Sequence, residues 1–424
     1  MLAALTAGQV KNKLKPVSLQ IDLQPTSLDA MLPDAAGAAS SLSAGAVVRT
    51  ILSIAIAGLL TIGAVQAEEK SGPLKIGISA GVTGAYAAFG VQVKNGASQA
   101  IEDINKAGGI KGRLLEPIYG DDASDPKQGV SVANKLAAEG AKMVVGAFAS
   151  GVSIPASDVY LDAGIIQVTP ASTNVKFTDR GMWNTFRTCG RDDQQGVVAG
   201  TYLADHFKDK RIAFVHDKSA YGRGLAQETQ MTLKAKGGKE VLFEGVNPGE
   251  KDYSALVSKL KSANVDVVYY GGYHTEAGLI LRQMRDQGLK ATMVGGDGLA
   301  PKEFVQIAGD GADGTLMTFS PDARKNPNAQ AAVAAFKAKN IDPDAYTLYA
   351  YAAVQVLARA VAETGSSEGK VLADWLHQGK TIETVVGPIA YDKKGDLTRP
   401  DYIIYAWTKG PDGKIDYAGH ELTP

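Results

Sequence analysis

The chain has 424 residues, with 44 Lys and Arg against 45 Asp and Glu, a formal charge of −1 and 45% hydrophobic residues. That balance supplies no bulk field for a polyanion, which excludes nucleic acid and anionic lipid as principal partners. The length suits two domains with full cores, and a single cysteine, Cys189, excludes an internal disulfide framework.

Taken in chain order, the first feature is the apolar stretch at residues 51–65, preceded by Arg49 and followed by Val65-Gln66-Ala67 and the charged run Glu68-Glu69-Lys70. This pattern reads as a secretory signal cleaved near Ala67, so residues 1–67 are expected to be an N-terminal extension plus signal peptide on a periplasmic protein. Such a stretch rises about 22 Å as a helix, short of a hydrocarbon core of roughly 30 Å, which argues against a membrane anchor. The signal lies far downstream of Met1, and the low-complexity segment 35–46 has too little apolar periodicity for a domain; an over-extended start is the simplest explanation.

From Leu74 onward, β-rich runs alternate with helical patterns: strand 74–79, helix 93–107, strand 114–119, helix 126–139, strand 143–146. Alternation of this kind builds parallel βαβ units. Ala97, Ala100, Ile101 and Ile104 line one face of the first helix, which stops at Gly108-Gly109. Helix 128–139, strand 143–146, helix 154–163 and strand 165–169 are echoed by helix 253–262, strand 265–270, helix 276–287 and strand 292–294. Two facing lobes of one doubly wound α/β architecture account for the echo better than a single sheet. A long amphipathic helix is expected over 346–364, its aromatic stripe being core. Runs 389–391 and 402–407 flank the turn-rich segment 392–396, suited to antiparallel or crossover strands.

Five apolar runs end in clusters of Gly, Ser, Thr, Tyr or Asp: at Phe148-Ala149-Ser150, at Ala171-Ser172-Thr173, at His216 with Tyr221, at Gly271-Gly272-Tyr273-His274, and at Gly295-Gly296-Asp297. In an open parallel sheet, ligands sit beyond the strands' carboxyl ends. None of these tips pairs a nucleophile with a base. Ser150 lacks the Gly-x-Ser-x-Gly elbow, the five histidines have no zinc-ligand spacing, and Cys189 reads as a small buried hydrophobe. The glycine pattern at 309–314 precedes its β-like run instead of following one, so the dinucleotide reading fails. The acidic run 121–125 reads as a helix start capped by Ser124 or Asp125, with Pro126 in the first turn. No metal, cofactor or catalysis is expected.

The tips do suit a small zwitterion. Ser150 precedes a helix opening whose free N–H groups favour a carboxylate, and Thr173 adds a hydroxyl and an N–H. Asp297, between glycines, can offset a buried ammonium. Tyr221, Tyr273, Phe148 and Phe89 offer apolar walls for a hydrocarbon side chain.

Over about residues 74–407 the chain resembles the leucine/isoleucine/valine-binding proteins, the periplasmic solute-binding components of branched-chain amino-acid ABC transporters. The resemblance is carried by Thr83-Gly84-Ala85 with Phe89-Gly90, by DDASDPKQ at 121–128, TPAST at 169–173, HDKSAYGRGLA at 216–226, VYYGGYHTE at 268–276 and GPIAYDKKGDL at 387–397. It implies the type I periplasmic binding protein fold: a first lobe of residues 68–190 and 322–397, a second of 191–321 and 398–424, and a hinge of three segments near 188–191, 319–321 and 397–401. It implies that Ser150 and Thr173 hold the ligand carboxylate, that Thr173 and the Ala171 carbonyl help hold the ammonium, and that Ala149, Phe148, Phe89, Tyr221 and Tyr273 line the site. The implied acid facing the ammonium is often Glu and here is Asp297; the family disulfide would fall on Ser124 and Ala149, neither a cysteine. Implied partners are an amino acid and the permease and ATPase subunits of the transporter, with the binding protein itself a monomer. An amino-acid or amide sensor feeding a signalling receptor is the alternative, since the same fold serves both; a Rossmann-type oxidoreductase is a distant third.

Overall fold

The computed structural model describes residues 72–399 and 401–422; the expected signal peptide lies outside them. Two sheets dominate. The first joins β1 (Leu74–Ser79), β2 (Leu115–Gly120), β3 (Met143–Val145), β4 (Ile166–Thr169) and β5 (Thr185–Arg187), all parallel, in the order β2-β1-β3-β4-β5. The second joins β6 (Ile212–His216), β7 (Glu240–Gly245), β8 (Val267–Gly271), β9 (Thr292–Gly295) and β10 (Leu316–Phe319) in the parallel order β7-β6-β8-β9-β10. The two orders are the same, so the repeat read from spacing is a repeat of topology. Strands β3, β6 and β8 are buried along their whole length because helices cover both sheet faces, which is why they read as unbroken apolar runs.

After β10 the chain returns to the first sheet. Helices Gln330–Ala338, Thr347–Thr364 and Gly369–Leu376 are followed by the antiparallel hairpin β11 (Ile382–Thr384) and β12 (Gly387–Ile389). The chain then goes back to the second sheet as β13 (Ile403–Ala406), antiparallel to β10. A small β14–β15 ribbon (Thr408–Lys409, Ile415–Asp416) follows, and β16 (Glu421–Leu422) closes the sheet edge beside β13. Segment 392–396 is a tight turn, closed by an antiparallel bridge between Tyr391 and Leu397, and the chain crosses between the sheets after it. Three crossings join the lobes, as the type I fold requires. Helix Thr347–Thr364 lies close against helix Ala87–Lys106 because Gly96 permits it: a Cβ there would stand 2.0 Å from the Thr347 carbonyl oxygen.

Beside the first crossing, Asp396 is 3% exposed, and its carboxylate lies 2.7 Å from Arg187 Nε and 2.6 Å from Arg191 Nη1 while accepting from Thr178 Oγ1. Arg187 Nε meets Asp396 off the line of its N–H, so that contact is ionic in character. Arg191 also reaches Asp179 and Asp193. Chain segments from both lobes are thus pinned at one point.

Candidate functional site

The carboxyl ends of both sheets face one cleft, and the reversal of strand order between β1 and β3, and between β6 and β8, opens a crevice in each. After β3, Phe148 and Ala149 lead into helix Ser150–Asp162; Ala149 is its extended N-cap residue and supplies no side-chain cap. A serine network ties this turn to the one after β4. Ser153 Oγ bridges both backbone groups of Ala147, Ser172 Oγ donates to Ser153 Oγ at 2.7 Å, and Thr169 Oγ1 donates to the Ala147 carbonyl at 2.6 Å. That network positions Ser150, Ala171 and Thr173, all buried. Ser150 Oγ accepts from Asn174 N at 3.3 Å, and the buried Thr173 hydroxyl has no hydrogen-bond partner of good geometry.

On the opposite side, Asp297 starts a short 3₁₀ turn just beyond β9 and is 2% exposed. Its Oδ1 accepts from Tyr221 Oη at 2.6 Å and from Gln195 Nε2 at 3.3 Å; its Oδ2 accepts from Tyr346 Oη, which belongs to the first lobe. Burial pushes the Asp297 carboxyl up, and the three donors pull it back toward the charged form. Tyr221 also accepts from Gly298 N at 2.9 Å, so it is a polar member of the site as well as a wall.

Phe89 and Phe148 stack with centroids 3.9 Å apart, and Tyr273 stands 5.5 Å from Phe148 and 5.0 Å from Tyr221. All nine residues singled out from the sequence, Phe89, Phe148, Ala149, Ser150, Ala171, Thr173, Tyr221, Tyr273 and Asp297, are buried around this one cleft. Arranged this way, hydroxyls and a helix N-terminus on one side face a carboxylate on the other, with aromatic rings between.

Three residues escaped the sequence reading. Asp192 opens helix Asp192–His206 with neither carboxylate oxygen partnered; burial first, and then the charge of Asp297, hold its carboxyl well above the usual range, opposed by Thr173 and Arg187. Gln195, one turn on, donates to Asp297 Oδ1 and accepts from Asp297 N at 3.0 Å. Tyr346, read as the start of a core helix, ends on Asp297. The pair Asp192-Asp193 just beyond the first crossing was the available signal for the first two.

This geometry defines a two-lobed solute-binding protein whose candidate site is the cleft between the sheet tips. Residues 73–412 match the family described as periplasmic binding protein, and the chain belongs to that family. It is 54% identical over 342 residues to "Leu/Ile/Val-binding protein homolog 1" of Brucella melitensis, covering 81% of this chain and 92% of that one. It is 49% identical over 338 residues to the Leu/Ile/Val-binding protein BraC3 of Rhizobium johnstonii, covering 80% and 92%. Among solved structures it resembles the leucine-binding protein LivK of Thermotoga maritima, with TM-score 0.75, 26% identity and coverage of 83% and 99%. It also resembles LivJ of Streptococcus pneumoniae in complex with isoleucine, with TM-score 0.73, 29% identity and coverage of 83% and 100%.

Proposed function

We propose that the chain captures branched-chain aliphatic L-amino acids, Leu, Ile and Val with Thr as a further candidate, in the interlobe cleft and delivers them to the permease of an ABC importer. The observation that carries this reading is the division of the cleft: Ser150 and Thr173 at one wall for a carboxylate, Asp297 at the other for an ammonium, and Phe89, Phe148 and Tyr273 closing off the space between. A zwitterion with a hydrocarbon side chain matches each wall. The names of the relatives support the ligand class.

In this reading the protein is a non-enzymatic monomer, exported with cleavage after Ala67, and the ATPase of its transporter supplies the energy. The lobes are residues 68–190 with 322–397 and residues 191–321 with 398–424, rotating about the three crossings. The test is a thermal-shift screen of the twenty amino acids on protein beginning at Glu68. Leucine, isoleucine and valine should raise Tm most, because a ligand bound only by the folded state stabilises it by mass action. A screen in which none of the three raises Tm refutes the reading.

A further inference from the structure

Besides Tyr346, a second first-lobe tyrosine outside the nine residues assigned to the ligand reaches across the cleft and ends on a buried acid. Tyr86 lies in the turn after β1 and is the N-cap residue of helix Ala87–Lys106, at the half-buried rim. Its Oη donates to Glu276 Oε2 at 3.1 Å, and its ring lies 4.3 Å from that of Tyr273. Glu276 is 0% exposed in the first turn of helix His274–Asp286; its other oxygen accepts from Gly249 N at 3.0 Å. Beside it, Thr275 Oγ1 donates to the Ala85 carbonyl at 3.0 Å, and His274 meets Phe89 edge-on at 5.3 Å. A short first-lobe segment therefore seats on a short second-lobe segment through two hydrogen bonds and a run of aromatic contacts.

The two partners of Glu276 differ in origin. Gly249 belongs to the second lobe and travels with Glu276, whereas Tyr86 leaves it when the lobes part. Burial, and then the nearby charges of Glu276 and Asp217, push the Tyr86 phenol far up, so it remains a neutral donor to the carboxylate. A hydrogen bond to a charged acceptor is among the stronger ones a side chain can make. The same ring packs on Tyr273, a proposed ligand wall, without itself belonging to the walls.

We infer that Tyr86 is a positioning residue for ligand retention, latching the two lobes together through Glu276 and buttressing Tyr273, so that it sets how slowly the amino acid leaves and not which side chain is accepted. This rests on the amino-acid reading above. On opening, the phenol and the carboxylate each gain water, so the latch stabilises the joined lobes by part of a full charged hydrogen bond.

The variant Tyr86→Phe keeps the ring and removes the donor. Stopped-flow release of leucine should be roughly three- to thirtyfold faster than from wild type, with the association rate and the order of preference among Leu, Ile and Val unchanged. In a Glu276→Gln background the Tyr86→Phe change should lose most of this effect, because the charged acceptor is already gone. A release rate within twofold of wild type overturns the proposal, and so does an altered order of preference, which would make Tyr86 a reader of the side chain. If no amino acid binds the wild-type protein, the amino-acid reading fails by itself. The latch is then decided without ligand, by electron–electron resonance distances between spin labels at Lys127→Cys and Arg282→Cys, both exposed sites, Cys189 being buried. A shift of Tyr86→Phe toward longer distances supports the latch, and superimposable distributions overturn it.

Discussion

Asp297 draws donors from both lobes, Tyr221 and Gln195 on one oxygen and Tyr346 on the other. Any ligand ammonium must join or replace these donors while the carboxylate stays charged. Asp297→Ala should therefore weaken leucine binding by about 2 to 5 kcal/mol, roughly thirty- to several-thousandfold, because it strands a buried cation. Calorimetry giving wild-type affinity would place the ammonium elsewhere. His274 is a second residue with a measurable signature. It is 2% exposed with Nδ1 unpartnered, and loss of water pushes its imidazole down to about 4. The unfolded chain takes up that proton near pH 6.5, so the contribution is complete above pH 6.5 and is lost as pH falls toward 4. Asp217, pushed up to about 6 by burial, works in the opposite direction. The difference between wild type and His274→Gln isolates the histidine: wild type should lose about 3 kcal/mol relative to the variant between pH 7 and pH 4. Parallel urea stability curves across that range would refute it. At this scale Ser150, Thr173 and Asp297 were legible because polar residues at strand tips have few structural reasons to be there. Tyr346 was not, since a tyrosine heading an apolar helix looks like core until its hydroxyl is followed to its end.

Among the elements, strands were easier to read than helix starts. The helices expected from 93 and 154 begin at Ala87 and Ser150. Their first turns, Ala-Ala-Phe-Gly and Ser-Gly-Val-Ser, carry little apolar periodicity; tertiary fit selects them, as at Gly90, where a Cβ would stand 2.0 Å from the Gly81 carbonyl oxygen. Helix Asp192–His206 went unread for a related reason, its buried face being largely Gly196, Ala199 and Gly200. Short β5, sandwiched between crossing and helix, offers only Thr-Phe-Arg. The crossing beside it has an electrostatic consequence. Asp396→Asn leaves Arg187, 0% exposed, and Arg191 without their shared carboxylate. Removing one member of a buried ion pair costs about 3 to 5 kcal/mol. The urea midpoint of Asp396→Asn should fall accordingly with its m-value unchanged, and a midpoint equal to wild type would show that the arginines are satisfied without Asp396.

For the molecule as a whole, the repeat of strand order in the two sheets was foreshadowed by matched spacings, whereas the seventh strand was not. Strand β16 is two residues long and pairs only because β13 has already returned from the first lobe. With both sheets delivering their tips to one cleft, selectivity depends on what both lobes contribute together. Phe89 and Phe148 come from one side and Tyr273 from the other, and Asp297, held toward its charged form by three donors, supplies negative charge. Branched aliphatic side chains should bind best. Exchanging leucine for alanine removes three carbons, at about 0.8 kcal/mol each on burial, so alanine should bind roughly 2.4 kcal/mol more weakly, with valine between them. Lysine should bind worse than leucine, since its side-chain ammonium would leave water for a site whose carboxylate is already taken by the α-ammonium. Glutamate should be the worst, because its second carboxylate would be buried in a cleft that already holds the Asp297 carboxylate, and like charges there repel in a medium that screens poorly. Titration of these five amino acids into ligand-free protein tests the order directly, and glutamate binding as tightly as leucine would mean that Asp297 does not face the ligand.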